Sequence, residues 1–131
     1  MLRQGPLPAF VHGVYEYLLG AWLIAAPFVL PSTDGDVGGA AVGVSVVLGL
    51  LLIALTASSR LPTGLVRSVP VPLHVVADLV LAAALVAAPF ALGFRSERAP
   101  TAASIVVGVL HLLVTIATRF PAPDRSSARS A

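Results

Sequence analysis

The sequence predicts an all-α membrane protein of four transmembrane helices, arranged as two tandem parallel helical-hairpin repeats. Three observations carry this. Hydrophobic residues make up 57% of the 131 and charged residues only 11%, less than half the roughly 25% of ordinary soluble domains. Four apolar runs each approach the ~20 residues that cross ~30 Å of hydrocarbon as a helix. The chain is also written twice: His12, Glu16, Leu23 and Ala25-Ala26-Pro27-Phe28 return as His74, Asp78, Leu85 and Ala87-Ala88-Pro89-Phe90 at a shift of 62. Carried on without a gap, that shift places Ala40-Ala41 on Ala102-Ala103, Val47-Leu48 on Val109-Leu110, Leu50-Leu51 on Leu112-Leu113, Thr56 on Thr118 and Gly49 on His111.

Taken in order, residues 1–10 form a lead-in carrying Arg3, and repeat 1 spans 11–57 with apolar runs Val11 to Leu30 and Val37 to Ala57. Arg3 and the small residues near Ala25-Ala26 invite comparison with a cleaved signal peptide. Glu16 inside the run and the mid-chain twin from Val71 argue for a retained helix. Residues 58–70 form a link that Pro62, Gly64 and Pro70, with Pro72 just beyond, keep from being helical. Repeat 2 spans 71–118 with runs Val71 to Leu92 and Thr101 to Thr118, and the Pro- and Ser-rich tail 119–131 is expected to be disordered. The outer turns are short, Pro31 to Asp36 and Arg95 to Pro100.

Charge sets the expected orientation. Arg3, Arg60, Arg67, Arg119, Arg125 and Arg129 fall on the side of the termini and the link, and only Arg95 and Arg98 on the other. The positive-inside rule then places both termini in the cytoplasm of a cell whose cytoplasmic membrane holds the protein. Two crossings per repeat send both repeats in the same direction, so their symmetry axis should run along the membrane normal, unlike that of inverted transporter repeats. Basic residues do not cluster with exposed aromatics, so no nucleic acid is expected as a partner. The bilayer itself is one partner, and a homo-oligomer or a membrane protein another. Zero cysteines exclude disulfides, thiolate metal sites and Cys nucleophiles.

Small residues suggest helix contacts: Gly39 and Gly43 as a GxxxG pair extended by Ser45 and Gly49, and Ser104 with Gly108 on the fourth helix. Ordinary packing within the chain is expected of them, with a dimer face as the alternative. Pro27 and Pro89 lack the amide that would bind the carbonyls of Leu23 and Leu85, and a neighbour or water must take up each released group. Trp22 has no repeat partner and reads as a packing residue. Phe10, Tyr15, Tyr17 and Phe120 read as an aromatic anchor at one boundary.

His12 and Glu16, like His74 and Asp78, stand four apart and so share a helix face. An unpaired charge at that depth is costly, so each acid pairs, binds a proton or meets water. His111 adds a third titratable group. Three chemistries fit: a polar clamp joining the hairpins, a proton-titrating site that exchanges its proton for a substrate or ion, and a metal site of three His and two carboxylates. HxxxE has no metal specificity of its own, and neither a metal nor a cofactor is expected. The serines lie in loops or on packing faces without a His and an acid at catalytic spacing, so no catalytic residue and no enzyme activity are expected.

At Ala26-Pro27-Phe28 and Ala88-Pro89-Phe90, with Gly20-Ala21-Trp22-Leu23-Ile24 and Leu92-Gly93-Phe94 around them, the chain resembles the SPW repeat family of small bacterial membrane proteins. The resemblance covers nearly Val11 to Thr118. It implies a membrane location and a repeat of two transmembrane helices whose first helix carries Ser-Pro-Trp, here replaced by Ala-Pro-Phe in both copies. It implies no enzyme activity. Small multidrug transporters also have four helices and an acid in the first, but the second acid at Asp78 and a parallel duplication fit them poorly. The expected function is a non-enzymatic structural or accessory membrane component, with a small proton-linked transporter using the His/carboxylate pairs as the alternative.

Overall fold

The computed structural model describes residues 5–30 and 37–122. Arg3, the outer turn at 31–36 and the tail from 123, with Arg125 and Arg129, lie outside them. Four helices follow one another: α1 (Ala9–Val29), α2 (Gly39–Ser58), α3 (Val71–Ala91) and α4 (Arg98–Ala117). Two short strands, β1 (Leu7–Pro8) and β2 (Thr118–Arg119), flank them. The helices are 21, 20, 21 and 20 residues long, so each reaches about 30 Å at ~1.5 Å per residue, the thickness of a bilayer's hydrocarbon. All four are apolar enough to cross it. Leu18, Phe28, Val80, Val106 and Leu113 point outward on them, an exposure that lipid tolerates and water does not. The chain is a multi-pass membrane protein.

Helices α1 and α2 pack as one hairpin and α3 and α4 as the other, with α2 against α3 between them. Close approach within each hairpin depends on small residues. A Cβ on Gly49 would stand 2.7 Å from the Gly20 carbonyl oxygen, and one on Gly108 2.9 Å from that of Ala82. Gly39 and Gly43 do not share this role. Nothing lies within 4 Å of a Cβ built on either, so that end of the GxxxG pattern makes no close contact among the described residues.

Both repeats run in the same direction, and their ends interlock. Leu7 and Pro8 pair in parallel with Thr118 and Arg119, and Ser59 forms an equivalent parallel bridge with Val69. The lead-in of each repeat is thus held by the exit of the other. Pro8 and Pro70, the residues before α1 and α3, share an extended backbone (φ −64°, ψ 145° and φ −62°, ψ 147°). The link folds back on α2, with the amides of Leu65 and Val66 on the Ala57 carbonyl and those of Ser68 and Val69 on that of Ser58. Arg119 and Phe120, at the expected start of the tail, are therefore structured parts of the bundle end.

The structure corrects the register of the second helices. Gly39 and Ser58 bound α2, and Arg98 and Ala117 bound α4, a shift of 59 where the first helices show 62. The connection after α3 is three residues shorter than that after α1, and it turns at Gly93, whose φ of +78° suits glycine as the residue that closes a helix. At a shift of 59, Ser45 meets Ser104, Gly49 meets Gly108, Thr56 meets Thr115, Ser59 meets Thr118, Arg60 meets Arg119, Leu61 meets Phe120 and Pro62 meets Pro121. His111 stands in the place of Leu52, not of Gly49.

Side chains stack in layers along the bundle. Leu61, Val75 and Phe120 cluster at the link end, Leu19, Leu23, Leu52 and Leu85 in the middle, and Ala41, Ala88 and Phe94 at the turn end. Between the first two clusters lies a polar layer.

Candidate functional site

The polar layer brings His12, Glu16, His74, Asp78 and His111 together, each with 0% of its surface exposed. The i, i+4 spacing brings each His to the acid of its own helix: His12 Nε2 lies 3.1 Å from Glu16 Oε1, and His74 Nε2 3.2 Å from Asp78 Oδ2. The bundle adds the crossed pairs. His12 Nε2 is 3.2 Å from Asp78 Oδ2, and His74 Nε2 3.3 Å from Glu16 Oε2. Two local clamps have become one four-cornered cluster spanning both hairpins.

Threonines complete the layer. Thr56 Oγ1 lies 2.9 Å from Glu16 Oε2 and 2.7 Å from the Leu52 carbonyl. Thr118 Oγ1 lies 2.9 Å from His12 Nδ1 and donates to the Val114 carbonyl at 2.6 Å. Thr115, the repeat mate of Thr56, is equally buried, yet among the described residues its hydroxyl has no hydrogen-bond partner. Its side of the layer holds Asp78, one methylene shorter than Glu16, whose Oδ1 also lacks a partner among the described residues. His111 occupies the room on that side, its Nε2 3.8 Å from Asp78 Oδ1. The departures from two-fold symmetry thus come as a set, a shorter acid beside a larger polar side chain.

Apolar groups cover the layer on both sides. Phe120 sets its edge against the His12 ring at 5.0 Å between centroids and reaches the His74 ring at 6.4 Å. It is buried, so it packs inside the bundle end and does not act as the boundary anchor expected of it. Of the other anchor residues Phe10 is exposed, whereas Tyr17 bonds the Thr63 carbonyl at 3.0 Å and Tyr15 stacks on His111. On the far side, Leu19, Leu23, Leu52 and Leu85 separate the layer from an apolar cleft at the turn end, which Trp22, Pro27, Phe94 and Pro100 help to line.

The repeat motif sits at that turn end. Phe28 and Phe90 face outward, while Ala88 and Pro89 are buried and Ala26 and Pro27 half-buried. The carbonyls that the two prolines release both find a donor: Ser45 Oγ reaches the Leu23 oxygen and Ser104 Oγ the Leu85 oxygen, each at 2.5 Å. Glu97 links the hairpins at the same end, its Oε2 accepting the Gly38 amide at the start of α2 at 3.1 Å, where a carboxylate also suits the helix dipole.

Thr56 and Thr115 carry no signal as single residues in an apolar chain. Their recurrence at a shift of 59, with the hydroxyls of Ser59 and Thr118 at the same shift, is the signal that finds them.

Against known proteins, the model of the SPW repeat domain matches residues 10–118, which include all but the first residue of the four helices and the whole polar layer. No curated protein and no solved structure matches the chain. Two helical hairpins, repeated in tandem and matched over most of the length, place the chain in the SPW repeat family.

Proposed function

We propose that the protein is a non-enzymatic structural or accessory component of the cytoplasmic membrane, with both termini in the cytoplasm, and that its polar layer is the joint between its two hairpins. One observation carries the reading: each imidazole touches the acid of its own hairpin and the acid of the other, in a layer with no exposed surface. Removing one partner of such a buried set leaves the other unsatisfied, a loss of about 1–3 kcal/mol and more where the stranded group is charged. The apolar clusters on either side support a dry joint over a conducting path. The distribution of arginines supports the orientation.

Single cysteines test both parts, since the chain has none of its own. Thr33→Cys and Ser127→Cys report the two sides, and Thr115→Cys and Ala87→Cys report the interior. A membrane-impermeant thiol reagent should label Thr33→Cys in intact cells, Ser127→Cys only after permeabilisation, and neither interior site. Labelling of Thr115→Cys from outside, changing with pH, would show a hydrated path and favour a proton-linked transporter instead.

A further inference from the structure

We infer that the polar layer is a binding site for one divalent cation of the zinc type, held by His12, Glu16, His74 and Asp78. The inference rests on the reading of this layer as the joint between the hairpins and names what fills it.

The N–O contacts of the layer have the lengths of coordination-shell edges. One ligand atom from each of the four residues lies within 4.8 Å of every other. Four ligands of which two are nitrogen and two oxygen share four N–O edges, and all four are short: 3.1, 3.2, 3.3 and 3.2 Å. A tetrahedron with metal–ligand bonds of about 2.05 Å has edges of about 3.3 Å. Glu16 presents a different oxygen to each imidazole and Asp78 presents Oδ2 to both, so a small rotation of the Glu16 carboxylate brings one oxygen to a common centre.

Donor accounting supplies a second, independent argument. The single hydroxyl proton of Thr118 goes to the Val114 carbonyl at 2.6 Å, so its oxygen can only accept from His12 Nδ1–H at 2.9 Å. A neutral His12 then carries its lone pair on Nε2, the atom that faces both carboxylates. Set against two carboxylates, that lone pair calls for a cationic partner, a proton on Nε2 or a metal ion, and a metal ion engages all three groups at once. An outer hydrogen bond that fixes the tautomer of a ligating His is the usual support of a metal site. On the other hairpin, His74 Nε2 and Asp78 Oδ1 are fully buried without a hydrogen-bond partner among the described residues.

Charge and enclosure agree. A dication with two carboxylates and two neutral imidazoles is neutral overall, which avoids burying net charge in the bundle. Four protein ligands beneath Phe120 make a closed site of the structural kind, without an open position for substrate. Imidazole and carboxylate ligands without thiolate suit Zn2+ and its neighbours, and the four short N–O contacts suit the tetrahedral shell of Zn2+ among them.

The test uses the full chain, purified in detergent without chelator and then equilibrated with Zn2+. Elemental analysis should find one zinc per chain, and Co2+ loaded in its place should give the intense visible absorption of a tetrahedral complex. Asp78→Asn should abolish both. Thr118→Val, which touches no ligand atom, should keep the fold and weaken Zn2+ binding by about 10- to 100-fold. Wild-type protein that is monodisperse and helical yet takes up neither Zn2+ nor Co2+ would overturn the inference. The two readings fail separately. A metal-free protein destabilised by Asp78→Asn would leave the joint standing without its metal, whereas stoichiometric zinc whose removal by EDTA leaves the melting temperature unchanged would keep the site and refute its role in the joint.

Discussion

Ser45→Ala should destabilise the protein only while Pro27 is present. Proline has no amide hydrogen, so the Leu23 carbonyl loses the partner that an α-helix would give it. Ser45 on the facing helix supplies one at 2.5 Å. In a bilayer no water replaces it, and a carbonyl stranded in an apolar core costs ~1–3 kcal/mol. Interhelical polar contacts measured in membranes average ~0.6 and reach ~1.7 kcal/mol. Leu23 is buried, near the upper end of that range, so a loss of about 1–2 kcal/mol is expected for Ser45→Ala. In a Pro27→Ala background the amide of residue 27 returns to the Leu23 carbonyl, and the same serine substitution should cost only ~0.3 kcal/mol, leaving a coupling of about 1 kcal/mol. Unfolding by SDS in mixed micelles measures each corner of the cycle, and Trp22, the single tryptophan, lies beside the affected segment as a fluorescent reporter. Equal costs of Ser45→Ala with and without Pro27 would refute the account. Ser104 and Pro89 provide an independent copy of the cycle, with the Leu85 carbonyl as acceptor.

The two classes of glycine on α2 should separate cleanly in the same unfolding assay. Gly49→Ala drives a methyl to 2.7 Å from the Gly20 carbonyl oxygen and should cost about 1–3 kcal/mol by forcing α1 and α2 apart, whereas Gly43→Ala meets nothing among the described residues and should be neutral or stabilising by up to ~1 kcal/mol. Gly93→Ala keeps its φ of +78° at a cost of about 1 kcal/mol, and Gly93→Asn, which tolerates that conformation better, should recover part of it. Phe120→Ala uncovers His12 and His74 from the link side, and its loss should exceed that of Phe90→Ala, whose ring faces outward; it should also make a Thr115→Cys probe reactive from the side that carries the termini. Equal losses for the two phenylalanines, or an inert Thr115→Cys in the Phe120→Ala protein, would refute the role of Phe120 as a cover.

Much of the bundle was legible because it rests on local properties. Composition and run length mark the four helices, and the i, i+4 spacing puts His12 beside Glu16 and His74 beside Asp78. The prolines likewise announce two carbonyls in need of a donor. The register of the second helices was legible too, though not from its commonest letters. A shift of 62 there pairs mainly alanine, valine and leucine, which coincide often in an apolar chain, while a shift of 59 pairs Ser45 with Ser104, Gly49 with Gly108, Thr56 with Thr115 and Arg60 with Arg119. The rarer residues carry the information because each meets a specific demand: a released carbonyl, a close backbone contact or a buried acid. Three residues fewer in a surface turn cost little, so the repeat could change its length there without disturbing the helices.

The order of residues sets the properties a helix possesses alone: how long it is, how apolar, and which residues share its face. Which faces meet is a property of the bundle, set by packing between helices far apart in the chain. His12 reaches Asp78 and His74 reaches Glu16 because α1 and α3 present their polar faces to one another across the axis between the hairpins. Gly39 and Gly43 have the spacing of a contact and make none among the described residues, because α2 turns a different face inward. Phe120 covers the imidazoles because the β1–β2 pairing carries the chain back over the end of the bundle. A helix can be read from residues four apart, but this polar layer joins residues 66 and 106 positions apart, and no local period encodes that meeting.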